Sequence, residues 1–250
     1  MANTRPYTDA HAIAMIEVAV FFRPALSDKD LGELKRKMEI ALKPKGFKRL
    51  TGKGVARFAL RGPDKELIDE VHIHDTMMHA MTYEYRGWAV FRSLAAERLA
   101  AIASLPISRR SGVGLAVRDV FVNDSPMDYE NLDVFSPRSR FLPAYVWEKG
   151  SQWRLSFTSH EQMAEMIRLS STLFVDSRAA SAKLGEDVRP VHTAEITHRQ
   201  WYSLSKNAVS GDTFSDENAL RRLDALYDRN KSLVRELLSE RMLDQIGLKE

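Results

Sequence analysis

Among the seven histidines, His72 and His74 stand two positions apart. On a strand that spacing puts both imidazoles on one face, where two rings can converge on one metal ion. His79 follows five residues beyond His74. Metallo-hydrolase signatures require further His or Asp at set offsets, and Asp75, directly after His74, falls on the opposite face. The plain alternative is the exposed polar face of an edge strand. The expectation is therefore no metal, with His72 and His74 as the alternative ligand pair. His74-Asp75-Thr76 also fits the H-x-T of two-histidine phosphoesterases. That chemistry needs two such motifs, one His as acid and one as base, and no other histidine here has Ser or Thr two places on.

The remaining signatures fail by inspection. His160-Glu161 opens like H-E-x-x-H, but position 164 is Ala. Gly112-Val113-Gly114 lacks the third glycine of a dinucleotide fingerprint, since position 117 is Val. There is no phosphate-binding G-x-x-x-x-G-K-[ST] and no G-x-S-x-G. The absence of cysteine excludes disulfides, thiolate metal sites and a thiol nucleophile. No catalytic residue and no cofactor is assigned. An enzyme whose site is assembled from scattered residues stays open as an alternative.

Charge is more informative. Lys43, Lys45, Lys48, Arg49, Lys53, Arg57 and Arg61 occupy one stretch without an acid, wrapped around Thr51-Gly52-Lys53-Gly54. Glycines let backbone and Lys approach a phosphate closely, and Phe47 is a candidate for stacking on a base. A second acid-free stretch carries Arg98, Arg109, Arg110 and Arg118. On one sheet face the two stretches would form an RNA- or DNA-binding groove. The competing reading is a solvated hairpin whose charges meet acids elsewhere, because 37 Lys and Arg nearly balance 34 Asp and Glu.

These residues need elements to hold them. Ile13 to Phe22 reads as a buried strand, and Ser27 with Asp30 caps a helix carrying Leu31, Leu34, Met38 and Leu42. Val55 to Leu60, Leu67 to Ile73 and Ala80 to Tyr85 read as strands. A second helix follows with Trp88, Phe91, Leu94, Ala95, Leu99 and Ile102 on one face. Beyond it, Val113 to Val122 is a strand, and Asn123 to Arg140 a long loop. Val146 to Phe157 reads as a hairpin turning at Lys149-Gly150-Ser151. Met166 to Val175 and Val188 to Ile196 are strands joined by the polar stretch Ser177 to Asp187. Thr213 and Asp216 open a long closing helix, on which Leu220, Leu223, Tyr227, Asn230, Val234 and Leu237 repeat at steps of three and four. Asn230 is the polar exception on that seam. If it only sets register, its replacement by Leu preserves or raises stability.

The fold expected is α+β, with ferredoxin-like elements around a largely antiparallel or mixed sheet and a long C-terminal helix. One domain over residues 1–250 is expected; the alternative is two sub-lobes, about 1–106 and 107–212, closed by a helix over 213–247. At 44% hydrophobic and 28% charged, the composition is that of a globular chain. Arg5, Asp9 and Glu17 interrupt any leader-like apolar run, and Ile13 to Phe22 is too short to span a bilayer. A cytoplasmic location without membrane contact follows as an expectation.

Arg5-Pro6-Tyr7, Tyr85-Arg86-Gly87-Trp88, Arg118 to Asn123, Leu226-Tyr227-Asp228-Arg229-Asn230-Lys231 and Ile246-Gly247 together resemble an uncharacterised, sporadically distributed bacterial family of roughly 250-residue proteins. The resemblance brings no catalytic residue with it. It implies a dispensable, horizontally moving gene, a pattern common among defence and mobile-element accessory proteins. The function expected is a non-catalytic binding or regulatory protein of bacteria, as such an accessory. The partner expected is a protein, or a second copy bound through the C-terminal helix. Nucleic acid bound by Lys43 to Arg61 is the alternative.

Overall fold

The computed structural model describes residues 4–8, 11–50, 55–102, 109–148, 152–164, 166–184, 187–205 and 214–248. Strand β1 (Thr4–Pro6) is followed by β2 (Ile13–Phe22), in which Ala14, Ile16, Val18, Val20 and Phe22 are buried at every second position. Helix α1 (Asp28–Leu42) begins at Ser27, whose Oγ accepts from the Asp30 N–H at 3.2 Å. It buries Leu34, Met38 and Leu42 at one-turn spacing. Four strands follow as a meander: β3 (Lys48–Leu50), β4 (Ala56–Arg61), β5 (Leu67–Ile73) and β6 (Met77–Thr82). Helix α2 (Trp88–Ile102) leads into β7 (Arg110–Asn123). A single helical turn, α3 (Tyr145–Glu148), precedes β8 (Trp153–Ala164), β9 (Ile167–Leu184) and β10 (Asp187–Leu204). Helices α4 (Asp216–Leu237) and α5 (Glu240–Gln245) complete the described elements.

The strands join in one 10-stranded sheet of order β3-β4-β5-β6-β2-β7-β10-β9-β8, with β1 pairing β7 beyond the end of β2. Every strand pairing is antiparallel. All five helices bury side chains on one face of this sheet. Parity shows it: Val113, Leu115, Val117 and Phe121 of β7, Leu169, Leu173 and Val175 of β9, and Ala194, Ile196, Tyr202 and Leu204 of β10 all point that way. Two apolar clusters form there. One gathers α1, α2 and the first half of α4; the other gathers α3, α5 and the second half of α4.

Several element boundaries differ from those the sequence predicts, each for a local reason. Strand β6, expected over Ala80 to Tyr85, starts at Met77 and ends at Thr82, because the turn at Asp75-Thr76 is tighter than the pattern indicates. Val146 belongs to α3, so no hairpin starts there; Lys149-Gly150-Ser151 lies outside the described residues. The polar stretch from Ser177 is ladder rather than linker. Strands β9 and β10 stay paired past His192, where β7 ends, so their backbone groups are satisfied whatever the side chains. The loop from 123 to 140 contains two 3₁₀ turns, Pro126–Asp128 and Asn131–Asp133. Thr213 lies outside the described residues, and Ser215 caps α4 by accepting from the Asn218 N–H.

Helix α4 lays its seam on its own sheet. Leu223, Asn230, Val234 and Leu237 are buried there, while Leu220 and Tyr227 are half-buried.

Candidate functional site

Beneath the middle of α4, where the two apolar clusters meet, is a cavity of about 450 Å³. Ala12 and Ile13 wall it at the start of β2, Val234 from α4, and Ile246 and Leu248 from the segment after α5. Its polar groups come from four separate places: His11, Tyr85 and Arg86 just before α2, Asp119 on β7, and Tyr227, Asn230 and Lys231 on α4.

Asp119 is the chemical centre. Its parity with Val113, Leu115, Val117 and Phe121 turns it toward the helices, and it is 4% exposed. Its Oδ2 is buried without a hydrogen-bond partner among the described residues. Burial pushes its pKa up to about 7, and no neighbouring cation offsets the cost of ionising it. His11 supplies a second acceptor in the same condition. Its Nε2–H donates to the Tyr85 carbonyl at 2.7 Å, which leaves Nδ1 buried and unpartnered among the described residues.

Around these acceptors the aromatic wall is stiff. The Tyr85 and Tyr227 hydroxyls share a hydrogen bond of 2.8 Å. Burial first, then that bond, holds the Tyr85 phenol far above its ordinary range, and burial also raises Tyr227. Both phenols stay neutral. The Trp88 ring stacks on Tyr227 at 4.1 Å, and its indole N–H donates to Asp224 at 3.0 Å. Arg92 holds the same carboxylate, at 2.8 Å. Lys231 rests its ammonium 4.9 Å from the Tyr227 ring centroid.

Asn230 does more than set register. Burial pushes the His198 pKa down to about 4, so the ring is neutral. Its Nδ1–H donates to Asn230 Oδ1 at 3.1 Å, and its Nε2 accepts from the Ser171 hydroxyl at 2.8 Å. The amide is thus tied to β10 at a buried position on the cavity wall. Asn230→Leu is expected to lower stability by about 1–3 kcal/mol, because it strands the buried His198 N–H. Thermal melts of the two proteins decide this; an equal or higher melting temperature for the Leu variant would leave register as the only role.

Three cations of the basic segment meet acids in the fold. Lys45 pairs with Glu97, Arg49 with Glu39 and Arg57 with Glu70, while Arg61 donates to the Lys65 carbonyl. Lys43 lies in the 3₁₀ turn after α1 and Lys48 on strand β3. Lys53 lies outside the described residues. Phe47 is 7% exposed beneath the Arg98 guanidinium, so it is core and not a stacking platform. Arg98 and Arg110 are buried as well, the latter on Asp216, which removes them from any surface groove. A larger cleft of about 760 Å³ opens between α4 and β8, with the ion pairs Arg229–Glu161 and Arg140–Glu236 on its walls.

The histidines also sit differently from the expectation. Strands β5 and β6 are interior to the sheet, so His72 is on a sheet face and not on an edge. His79 stands directly across from it, a partner that only strand register reveals.

Sequence reading missed Asp119 and His11 as site residues. Yet Tyr85, Arg86 and Gly87, Asp119, Tyr227, Asn230 and Lys231, and Ile246 all come from stretches that carry the family resemblance, and all line this one cavity. A scan of the chain against protein-family models finds no match, and a search of curated proteins finds none.

Proposed function

We propose that the chain is a non-catalytic binding protein whose cavity takes a small protonated amine with an apolar body. The observation that carries this reading is the pair of buried acceptors, Asp119 Oδ2 and His11 Nδ1, left without a donor among the described residues, in a cavity where Arg86 is drawn to Glu84 and Lys231 to the Tyr227 ring. A buried acceptor without a donor costs roughly 1–3 kcal/mol, more when charged. A ligand that brings N–H groups and a positive charge removes that cost and lets Asp119 ionise. The Tyr85 ring adds quadrupole attraction for the same charge, while Trp88 and Lys231 already lie against the ring of Tyr227.

A ferredoxin-like core is part of the same proposal. The run β2-α1-β5-β6-α2-β7, with sheet order β5-β6-β2-β7, supports it, and β3 and β4 extend the sheet beyond β5.

The test is a titration with phenethylammonium and cyclohexylammonium against their uncharged counterparts, 2-phenylethanol and cyclohexanol. The ammonium forms should bind at least about tenfold more tightly, since one charge-assisted bond is worth 1.5–3 kcal/mol. At pH 6 binding should release close to one proton as Asp119 ionises, and this appears as a dependence of the measured heat on the buffer. Equal affinity for amine and alcohol, or no binding of either, overturns the reading.

A further inference from the structure

The second sheet face, which no described helix covers, carries a cluster of a different kind. His72 and His79 are register partners on β5 and β6, with ring centroids 4.8 Å apart at 82°. His74, two residues beyond His72 and on the same face, brings its ring to 5.8 Å from His79. One ring nitrogen from each histidine lies within 4.8 Å of the other two. Two carboxylates back them. Glu17 on neighbouring β2 bonds His79 Nδ1 at 3.1 Å, leaving His79 Nε2 buried without a hydrogen-bond partner among the described residues. Glu70 lies 3.6 Å from the equally unpartnered His72 Nε2. Glu70 is 3% exposed and held by Arg57 Nε at 2.6 Å and the Tyr83 hydroxyl at 3.2 Å.

We propose that His72, His74 and His79 form a binding site for one transition-metal ion, with Glu17 and Glu70 orienting the rings from behind. Three imidazoles select zinc, nickel, cobalt or copper over magnesium and calcium, which require oxygen shells. Zinc–nitrogen bonds of about 2.0–2.1 Å need the nitrogens drawn somewhat closer than they stand, by a change of side-chain torsions. Carboxylate-backed histidine is the usual outer arrangement of such sites, and it sets which ring nitrogen is free. Three protein ligands leave a fourth position for water or a small ligand. A shallow depression lined by Glu17, Phe21, Met77 and Trp201 adjoins it.

The expectation of no metal rested on the absence of further ligands at recognised sequence offsets, with Asp75 on the opposite face and His79 five residues beyond His74. The third ligand arrives through the turn at Asp75-Thr76, and the outer carboxylates through β2 and β5.

Calorimetric titration of EDTA-treated protein with Zn²⁺ and Ni²⁺ tests the site. One ion per chain is expected, and Mg²⁺ should give no binding. Half-buried His74 is the safest ligand to remove: His74→Ala and His79→Ala should each weaken binding at least about 100-fold. Glu17→Gln should keep one ion per chain but weaken it about 10–100-fold, the effect of losing an outer partner. The metal should raise the melting temperature of the unaltered protein and leave that of His74→Ala unchanged. His160→Ala, on distant β8, should bind as the parent does. Absence of stoichiometric binding, or one ion per chain still bound by the His72→Ala, His74→Ala, His79→Ala triple variant, overturns the proposal.

Discussion

Asp119→Asn is expected to raise the melting temperature at pH 8 by roughly 5–10 °C and to flatten the fall in stability across neutral pH. The ordinary aspartate value is 3.8, and burial moves it to about 7 in the fold. Below pH 4 the carboxyl is protonated in both states and contributes no penalty. Between 4 and 7 the folded protein keeps a proton that the unfolded chain has released, so stability falls as pH rises. Above 7 both states are ionised and the cost is constant. About three pH units at 1.36 kcal/mol each put that cost at up to about 4 kcal/mol, less whatever water entering the cavity returns. Asn has the same shape and never ionises, so it gains this amount at pH 8 and nothing at pH 4. The difference between the two melting curves isolates Asp119, because all other carboxylates titrate alike in both proteins. A lower melting temperature at pH 8, or parallel curves from pH 4 to 8, would sink the account. The same variant should lose amine binding, so stability and function move in opposite directions.

Leu223→Asp should leave an unfolded or aggregating protein. Leu223 is fully buried on α4 within the first apolar cluster. Its loss removes about 1.5–3 kcal/mol of burial, and the introduced carboxylate adds a desolvation penalty of several kcal/mol. Together these consume much of the 5–15 kcal/mol that holds a typical domain. A chain ending before residue 214 fares no better. It gives up Leu223, Leu226, Val234, Leu237 and Met242, all buried, at about 1.5–3 kcal/mol each. Ala225→Asp, on the exposed side of the same helix, serves as control and should shift stability by no more than about 0.5 kcal/mol. A truncated protein that stays soluble and monomeric with an unchanged melting temperature would show α4 to be an appendage.

What the sequence discloses here is local order. Strand β2, helix α1 with its Ser27 cap, α2 and the seam of α4 follow from periodicity and capping within single elements. Strand ends in β9 and β10 do not, because backbone pairing carries a polar ribbon that side-chain pattern reads as loop. The candidate site divides the same way. Asp119 was readable: Val113, Leu115, Val117 and Phe121 alternate through it, which places the carboxyl on the buried face. His79 was not, since its place opposite His72 depends on hairpin register. The charges of Lys45 and Arg49 are likewise matched by acids on α2 and α1, which the chain brings close only by folding.

The central position of β7 also governs when the cavity comes into being. Its partner β2 meets it at Ile13 and Asp119, 106 positions apart, and Tyr227 is supplied a further 108 positions on. Pairings this distant make folding slow, since loop closure precedes any reward from contact. On the ribosome the sheet can therefore assemble with its helix-side face still bare under the site of α4, an aggregation-exposed interval. Docking of α4 ends that interval and closes the cavity in one event. An amine that recognises only the closed cavity arrives after the folding barrier, so it should retard unfolding while leaving the folding rate untouched.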